Sequence, residues 1–224
     1  MTIRIYGVLR SRASRNIWLL KEMGLAYEHI PVIQVYRVAR PKAKDAPLNT
    51  GSRSFRKINP NGQIPSMKDG RLVLHESLAI NLYLAKKYGK KQGTTLGPKT
   101  LAEDGQMTMW SLWAAAECEM HTVQILYNRA AKPEAERDHA LAARSVEAVQ
   151  RPFDVLEAHL KAQGGFAVGG RFTVADINLA EVLRYAQAAP ELFSERPNLK
   201  NWLDSCQARP AFKAMMAERN AEPA

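Results

Sequence analysis

Residues Asn59-Pro-Asn-Gly-Gln-Ile-Pro65 run into Ser66-Met-Lys-Asp-Gly-Arg-Leu-Val-Leu-His75 and then into Glu76-Ser-Leu-Ala-Ile-Asn-Leu-Tyr-Leu84. The order reads as a turn, a hairpin and a helix start. Ile64 to Lys68 and Leu72 to His75 flank Asp69-Gly70, a strong hairpin signal. Gly70 takes positive φ there without a Cβ clash. Ser77 to Tyr88 has helical spacing, with Ala79, Ile80, Leu82, Tyr83 and Leu84 as its apolar face. Pro65 cannot donate to a ladder, so it marks a strand start or edge. A cis Ile64–Pro65 bond would turn the Ile64 amide and carbonyl outward, free to pair with an extended ligand. Glu76-Ser77 stands where strand passes into helix. The orphan amides and dipole of that helix end favour a carboxylate. The Ser77 hydroxyl can add a hydrogen bond, and Glu76 can pair with an ammonium, which together suits an amino-acid head group. Simple N-capping by Ser77 is the competing reading.

Working toward the N-terminus, Thr2 to Val8 reads as a strand. The polar, basic loop Arg10-Ser-Arg-Ala-Ser-Arg15 follows, then a helix carrying Ile17, Trp18 and Leu20 that stops at Gly24. Ser14 is the expected N-cap of that helix. Tyr27 to Ile33 reads as a second strand. Strand, helix, strand over so short a span is a βαβ unit with a parallel pair. Between it and the opening motif, Arg37, Arg40, Lys42, Lys44, Arg53, Arg56 and Lys57 face one acid, Asp45. Pro41, Pro47, Asn49 and Gly51 break any long helix. The segment is a solvated loop with a short helix near Phe55, or a basic lip over an anionic ligand.

Working toward the C-terminus, Gly89 to Pro98 reads as a linker, and from Leu101 the pattern is helical. Met107 to Met120 is rich in Ala, Met and Trp. Ala135 to Ala162 has helical spacing, with a break or kink expected at Pro152. Thr173-Val-Ala-Asp176 is a capping-box variant with Asp for Glu, opening a helix to about Ala188. Trp202 to Gln207 and Ala211 to Arg219 give two more helices. The expected division is an α/β domain over 1–88, a linker over 89–98 and an all-helical domain over 99–224.

The chain has 224 residues and a net charge of +10. Residues 1–90 carry 17 basic and 5 acidic side chains, whereas 91–224 carry 15 and 17. The basic half has the field of an anion binder. With 46% hydrophobic residues the chain can bury a real core. No apolar run is long enough to span a membrane, and the N-terminus has no secretory signal. Cys118 and Cys206 have neither disulfide-framework nor zinc-ligand spacing. A soluble, cytoplasmic protein without metal is expected. Nucleic-acid binding is disfavoured, because the basic residues are not interleaved with stacking aromatics.

These residues resemble the soluble glutathione transferase superfamily. The matching pieces are the Tyr6 to Ser11 loop, Asn59 to Pro65 with the hairpin after it, Glu76 to Leu84, Phe172-Thr-Val-Ala-Asp-Ile177 and Arg209-Pro-Ala-Phe212. The resemblance implies a thioredoxin-like βαβ-ββα domain, an all-helical C-terminal domain and a homodimer. It implies that Ile64, followed by Pro65, pairs with the cysteinyl backbone of glutathione while Glu76 and Ser77 hold its γ-glutamyl end. Gln63, just before Ile64, can hydrogen-bond the glycyl end; Arg12 can contact glutathione or raise the positive field that stabilises a thiolate, with a solvated surface arginine as the competing reading. The spacing Tyr6-Gly-Val-Leu-Arg-Ser11 is similar to that of theta-like, serine-type members, in which the serine donates to the thiolate. Ser11 is therefore the expected donor, with Tyr6, Ser14 and a backbone amide as alternatives; a strand-core role suits Tyr6. The loop has no cysteine, which disfavours the cysteine-type members. Candidates for a second-substrate wall are Leu9, Trp110, Trp113 and Glu117, although the stripe Trp110, Trp113, Glu117 suits core or dimer contact as well. The implied function is glutathione transfer to a small, largely apolar electrophile, as in detoxification. The alternative is a glutathione-binding module with little catalysis.

Overall fold

The computed structural model of the chain describes residues 2–90 and 94–223. Part of the expected linker, residues 91–93, lies outside the described residues. The chain divides into two compact units, Met1–Thr94 with Pro210–Ala224, and Thr95–Arg209.

The first unit is built on a sheet of order β2-β1-β3-β4, from β1 (Ile3–Tyr6), β2 (Tyr27–Ile30), β3 (Ser66–Asp69) and β4 (Leu72–His75). β1 pairs with β2 in parallel, Ile3 opposite Tyr27, and with β3 antiparallel, Tyr6 opposite Ser66. α1 (Ala13–Glu22) makes the crossover that the parallel pair requires. The hairpin turns at Gly70, whose φ is +61°. α3 (Ser77–Tyr88) follows, and packs against α1. Ile5, Ile17, Trp18, Leu19, Leu20, Met67, Ile80 and Leu84 are wholly buried. Tyr6 alternates to a second cluster with Val32 and Phe55, backed by Ile30, Leu48, Ile58 and Ile64.

Three local expectations need correction. Ser14 is not the N-cap of α1; it is buried inside the helix, and Arg12 holds the capping position. β2 ends at Ile30, because the chain then turns away and Ile33 only bridges to Asn49. β3 begins at Ser66 rather than Ile64 and takes in Asp69, whose carboxylate is gripped by Tyr83, Lys87 and Tyr88 of α3.

The basic segment is an ordered loop. Buried Asn49 ties it together, donating to the Pro41 and Pro47 carbonyls and accepting from the Gly51 amide. The short helix expected near Phe55 is α2 (Arg53–Arg56), with Phe55 as its buried anchor. Arg40, Lys42, Lys44, Arg53, Arg56 and Lys57 all project into solvent.

The second unit is helical. α4 (Leu101–Trp113) and α5 (Met120–Leu126) form one run with the π-helical stretches Ala114–Glu119 and Tyr127–Ala131. α6 (His139–Ala162) continues through Pro152, so the expected break does not occur. A proline in mid-helix removes one donor and strains one turn, and packing along the rest of a long helix offsets that. α7 (Val174–Leu183) is buried on every side, and a 3₁₀ turn extends it to Ala188. Its start is held as the motif implied: the Thr173 amide and hydroxyl both donate to Asp176, at 2.8 and 3.0 Å. α8 (Glu191–Ser194) and α9 (Pro197–Ala208) complete the unit.

α10 (Pro210–Ala221) packs on α1 in the first unit. Phe212 sets its ring edge-on to Trp18 with centroids 4.9 Å apart. Lys21 pairs with Glu218 at 2.6 Å.

Candidate functional site

Gly7 is the point where three segments of the first unit meet. Its φ is +145°, a conformation open to glycine and costly for other residues. A Cβ there would stand 3.0 Å from Ala13 Cβ and 3.3 Å from Ile64 Cβ. The missing side chain thus lets the first turn of α1 and the Ile64 turn close on the end of β1. The Gly7 amide donates to Ile30, and the His29 ring bonds the Gly7 carbonyl at 2.6 Å.

Ser11 lies between β1 and α1 and is partly buried. Its hydroxyl donates to the Val8 carbonyl at 2.6 Å and accepts from the Ala13 amide at 3.1 Å. The oxygen is therefore fixed, while its hydrogen can swing about the Cβ–Oγ bond to another acceptor. Arg12 is exposed beside it, and Tyr6 is buried in the apolar cluster.

The turn ahead of β3 is held by Asn59, which is nearly buried. Its side chain donates to the Gln63 carbonyl at 2.7 Å and accepts from the Asn61 amide at 3.1 Å. Gln63 presents its side chain to solvent. The Ile64–Pro65 bond is cis. Among the described residues the Ile64 amide and carbonyl have no hydrogen-bond partner.

Glu76 is the one non-glycine residue with positive φ, +65°, among the described residues. Such strain clusters at functional sites. Its side chain is exposed at the start of α3. Ser77 is buried, and its hydroxyl accepts from Arg15 at 3.2 Å. Arg15, with Asn16 and Asn81, forms a buried polar layer between α1 and α3.

Ala13 in the first turn of α1 and the Ile64 turn both close on Gly7, and Arg15 reaches Ser77. What gathers here is a fixed hydroxyl, an unpaired backbone amide and carbonyl, a helix N-terminus and an exposed carboxylate.

Residues 11–87 match the glutathione S-transferase N-terminal domain, and residues 116–210 match the C-terminal domain. The chain is 32% identical to glutathione S-transferase 3 of Zea mays, over 96% of this chain and 93% of that one. The chain belongs to the glutathione S-transferase family. It is also 30% identical to the transferase GstB of Escherichia coli K12, over 96% of this chain and 97% of that protein. Among solved structures, glutathione S-transferase III in its apo form superposes with a TM-score of 0.80 at 31% identity, covering 100% of both chains. A theta-class transferase from Xanthomonas axonopodis pv. citri, solved with glutathione bound, gives 0.74 at 28% identity, covering 95% of this chain and 96% of that one.

In this transferase the candidates for a second-substrate wall lie in separate units. Leu9 is buried in the first. Trp110 is buried in the second, its ring 4.5 Å from His159 and 5.1 Å from Trp113 between centroids. Trp113 is half-buried and Glu117 exposed. Trp110 is thus largely taken up by the helical core. Among the described residues no His, Cys, Asp and Glu cluster could hold a metal ion, and no helix is long and apolar enough to cross a membrane.

Sequence reasoning missed Arg15, Asn16 and Asn81. The available signal was three polar side chains falling on otherwise apolar helix faces.

Proposed function

We propose that this glutathione transferase holds the tripeptide along β3 and the start of α3, and that Ser11 stabilises its thiolate. Ile64, with its backbone unpaired at Pro65, pairs with the cysteinyl unit. Glu76 takes the γ-glutamyl ammonium, and Ser77 with the helix N-terminus takes its carboxylate. Gln63 and Arg12, both exposed at the rim, reach the remaining polar groups. The observation that supports this reading is the first turn of α1, whose Ala13 amide holds the Ser11 hydroxyl, whose Ala13 side chain shares the space at Gly7 with Ile64, and whose Arg15 holds Ser77.

The chemistry follows from charge. A free thiol of pKa about 8.5 is only a few per cent ionised at neutral pH. A hydroxyl donating to sulfur favours the charged form, and each unit of lowering corresponds to about 1.4 kcal/mol. The Ser11 hydrogen turns from Val8 to the thiolate without moving its oxygen, which stays bonded to the Ala13 amide. The thiolate, its proton released to solvent, then attacks a small, largely apolar electrophile, forming a C–S bond as the displaced electron pair departs with the leaving group or moves out of the attacked π-bond. Residues 1–88 act as the glutathione-binding domain, and residues 99–224 supply the second-substrate wall and dimer contacts. The wall candidates are Leu9 in the first unit and Trp110, Trp113 and Glu117 in the second, of which Trp113 and Glu117 are the more accessible. A cytoplasmic homodimer is the typical state of the family and belongs to the same reading.

Ultraviolet titration of bound glutathione tests it. Ser11→Ala is expected to raise the thiol pKa by about one unit, the effect of losing one donor to the anion. An unchanged value removes Ser11 from the mechanism. Retention on immobilised glutathione without turnover of a broad electrophile panel would point to a binding module instead.

A further inference from the structure

Glu222 lies 213 residues from Leu9 in the chain, yet its carboxylate closes on the loop before Ser11. One oxygen accepts from the Leu9 amide at 2.9 Å and the other from the Arg10 amide at 2.8 Å. Arg10 reciprocates. Its guanidinium donates to the Arg219 and Asn220 carbonyls at the C-terminal end of α10, both at 3.3 Å. Those carbonyls belong to the last turn of α10, where the helix's own ladder runs out, and a cation there also complements its dipole. α10 itself is fixed on α1 by Phe212 against Trp18 and by Glu218 with Lys21. The clamp therefore joins two rigid elements and not two loose ends.

The geometry couples this clamp to the Ser11 hydroxyl through a single peptide plane. The Leu9 N–H and the Val8 carbonyl belong to one planar unit, and in a trans peptide they point in opposite directions. Glu222 holds the N–H edge of that plane, and Ser11 donates to its carbonyl edge. Fixing one edge orients the other. Glu222 also occupies the Leu9 and Arg10 amides, which removes both as competing donors to a thiolate.

We infer that Glu222 is a positioning residue for thiol activation, holding the Val8–Leu9 peptide and so the resting position of the Ser11 hydroxyl from which its hydrogen turns to the thiolate. This rests on the reading of Ser11 as the thiolate donor, and it can fail while that reading stands. The experiment measures bound-thiol pKa, kcat, glutathione KM and melting temperature for wild type, Ser11→Ala, Glu222→Ala, Glu222→Gln and the double variant Ser11→Ala/Glu222→Ala, all in the full chain. Glu222→Ala is expected to raise the thiol pKa by about half a unit and to lower kcat about tenfold, in the range for a slightly misplaced group. Glutathione KM should change less. Glu222→Gln keeps one acceptor oxygen and should fall between wild type and Ala; it carries the test if the Ala variant does not fold. The double variant should match Ser11→Ala, since the two residues act on one donor. A lower melting temperature with wild-type thiol pKa and kcat would reduce Glu222 to a fold contact and overturn the inference, as would additive pKa shifts in the double variant. An unchanged pKa in Ser11→Ala alone would overturn the serine reading, and the Glu222 inference with it.

Discussion

The Asn16 side-chain amide donates to Asn81 Oδ1 at 2.7 Å across a wholly buried contact between α1 and α3. The same amide donates to the Ser77 carbonyl at 2.8 Å, and Asn81 donates to the Arg15 carbonyl at 3.2 Å. Two helix starts are thereby locked in register beside the proposed γ-glutamyl site. Asn81→Ala deprives the Asn16 amide of one of its two buried acceptors. The expected cost is about 1–3 kcal/mol of stability. Steady-state kinetics should show glutathione KM rising more than kcat falls, because Ser77 is displaced while the Ser11 loop is not. An unaltered KM would mean that the layer holds the fold alone.

Gly7 supports a second expectation. Gly7→Ala sets a Cβ against Ala13 and Ile64 at a φ of +145°. Strain of this kind costs about 1–3 kcal/mol. Thermal melting should register that loss. Glutathione affinity should fall as well, because the Ser11 loop and the Ile64 turn are both pushed outward.

Acid should weaken the helical unit through Glu103. Its carboxylate takes two bonds from Arg171, at 2.8 and 2.7 Å, and a third from the Lys99 amide at 2.7 Å. Hydrogen bonding by Arg171 leads in holding its pKa down at about 2, against an ordinary value of 4.5. The group is depressed in the folded state, so its contribution is complete above about pH 4.5 and is lost as pH falls toward about 2. Glu103→Gln should cost about 1.5–3 kcal/mol at neutral pH. It should also flatten the stability-versus-pH slope between those limits, as followed by denaturant melts of the helical signal.

The cysteines should be inert in the native protein. Burial, and then the charge of Glu117, push the Cys118 thiol up to about 12. Cys206 is also buried. An aromatic disulfide reagent at pH 8 is expected to titrate neither thiol before unfolding and both afterwards, since reaction needs an accessible thiolate. Fast reaction of one thiol in the folded state would contradict this.

Much of the site was legible because its parts are local. Glu76-Ser77 announces a helix start by the change from strand alternation to helical spacing, and the helix does begin at Ser77. Asp69-Gly70 marks the hairpin for the same kind of reason. Errors came where neighbours overrode the local signal. Ser14 is a good capping residue, yet it is buried inside α1, and Ser11 Oγ takes the Ala13 amide instead. Pro152 is a helix breaker, yet it sits within the 24 residues of α6.

The sequence by itself determined the family and the two kinds of structure, and it nominated Ser11, Ile64 and Glu76-Ser77 as candidate stations, because each is written within a few consecutive residues. Only the tertiary structure brought Arg15 to Ser77 and Glu222 to the Leu9 and Arg10 amides. It also set Tyr6 into an apolar cluster, and grouped α10 with the N-terminal unit rather than with the helices it follows. The physical reason is distance along the chain. Local propensity and spacing act over a turn or two, whereas a buried cation or a bidentate carboxylate finds its partner only when packing carries remote segments together.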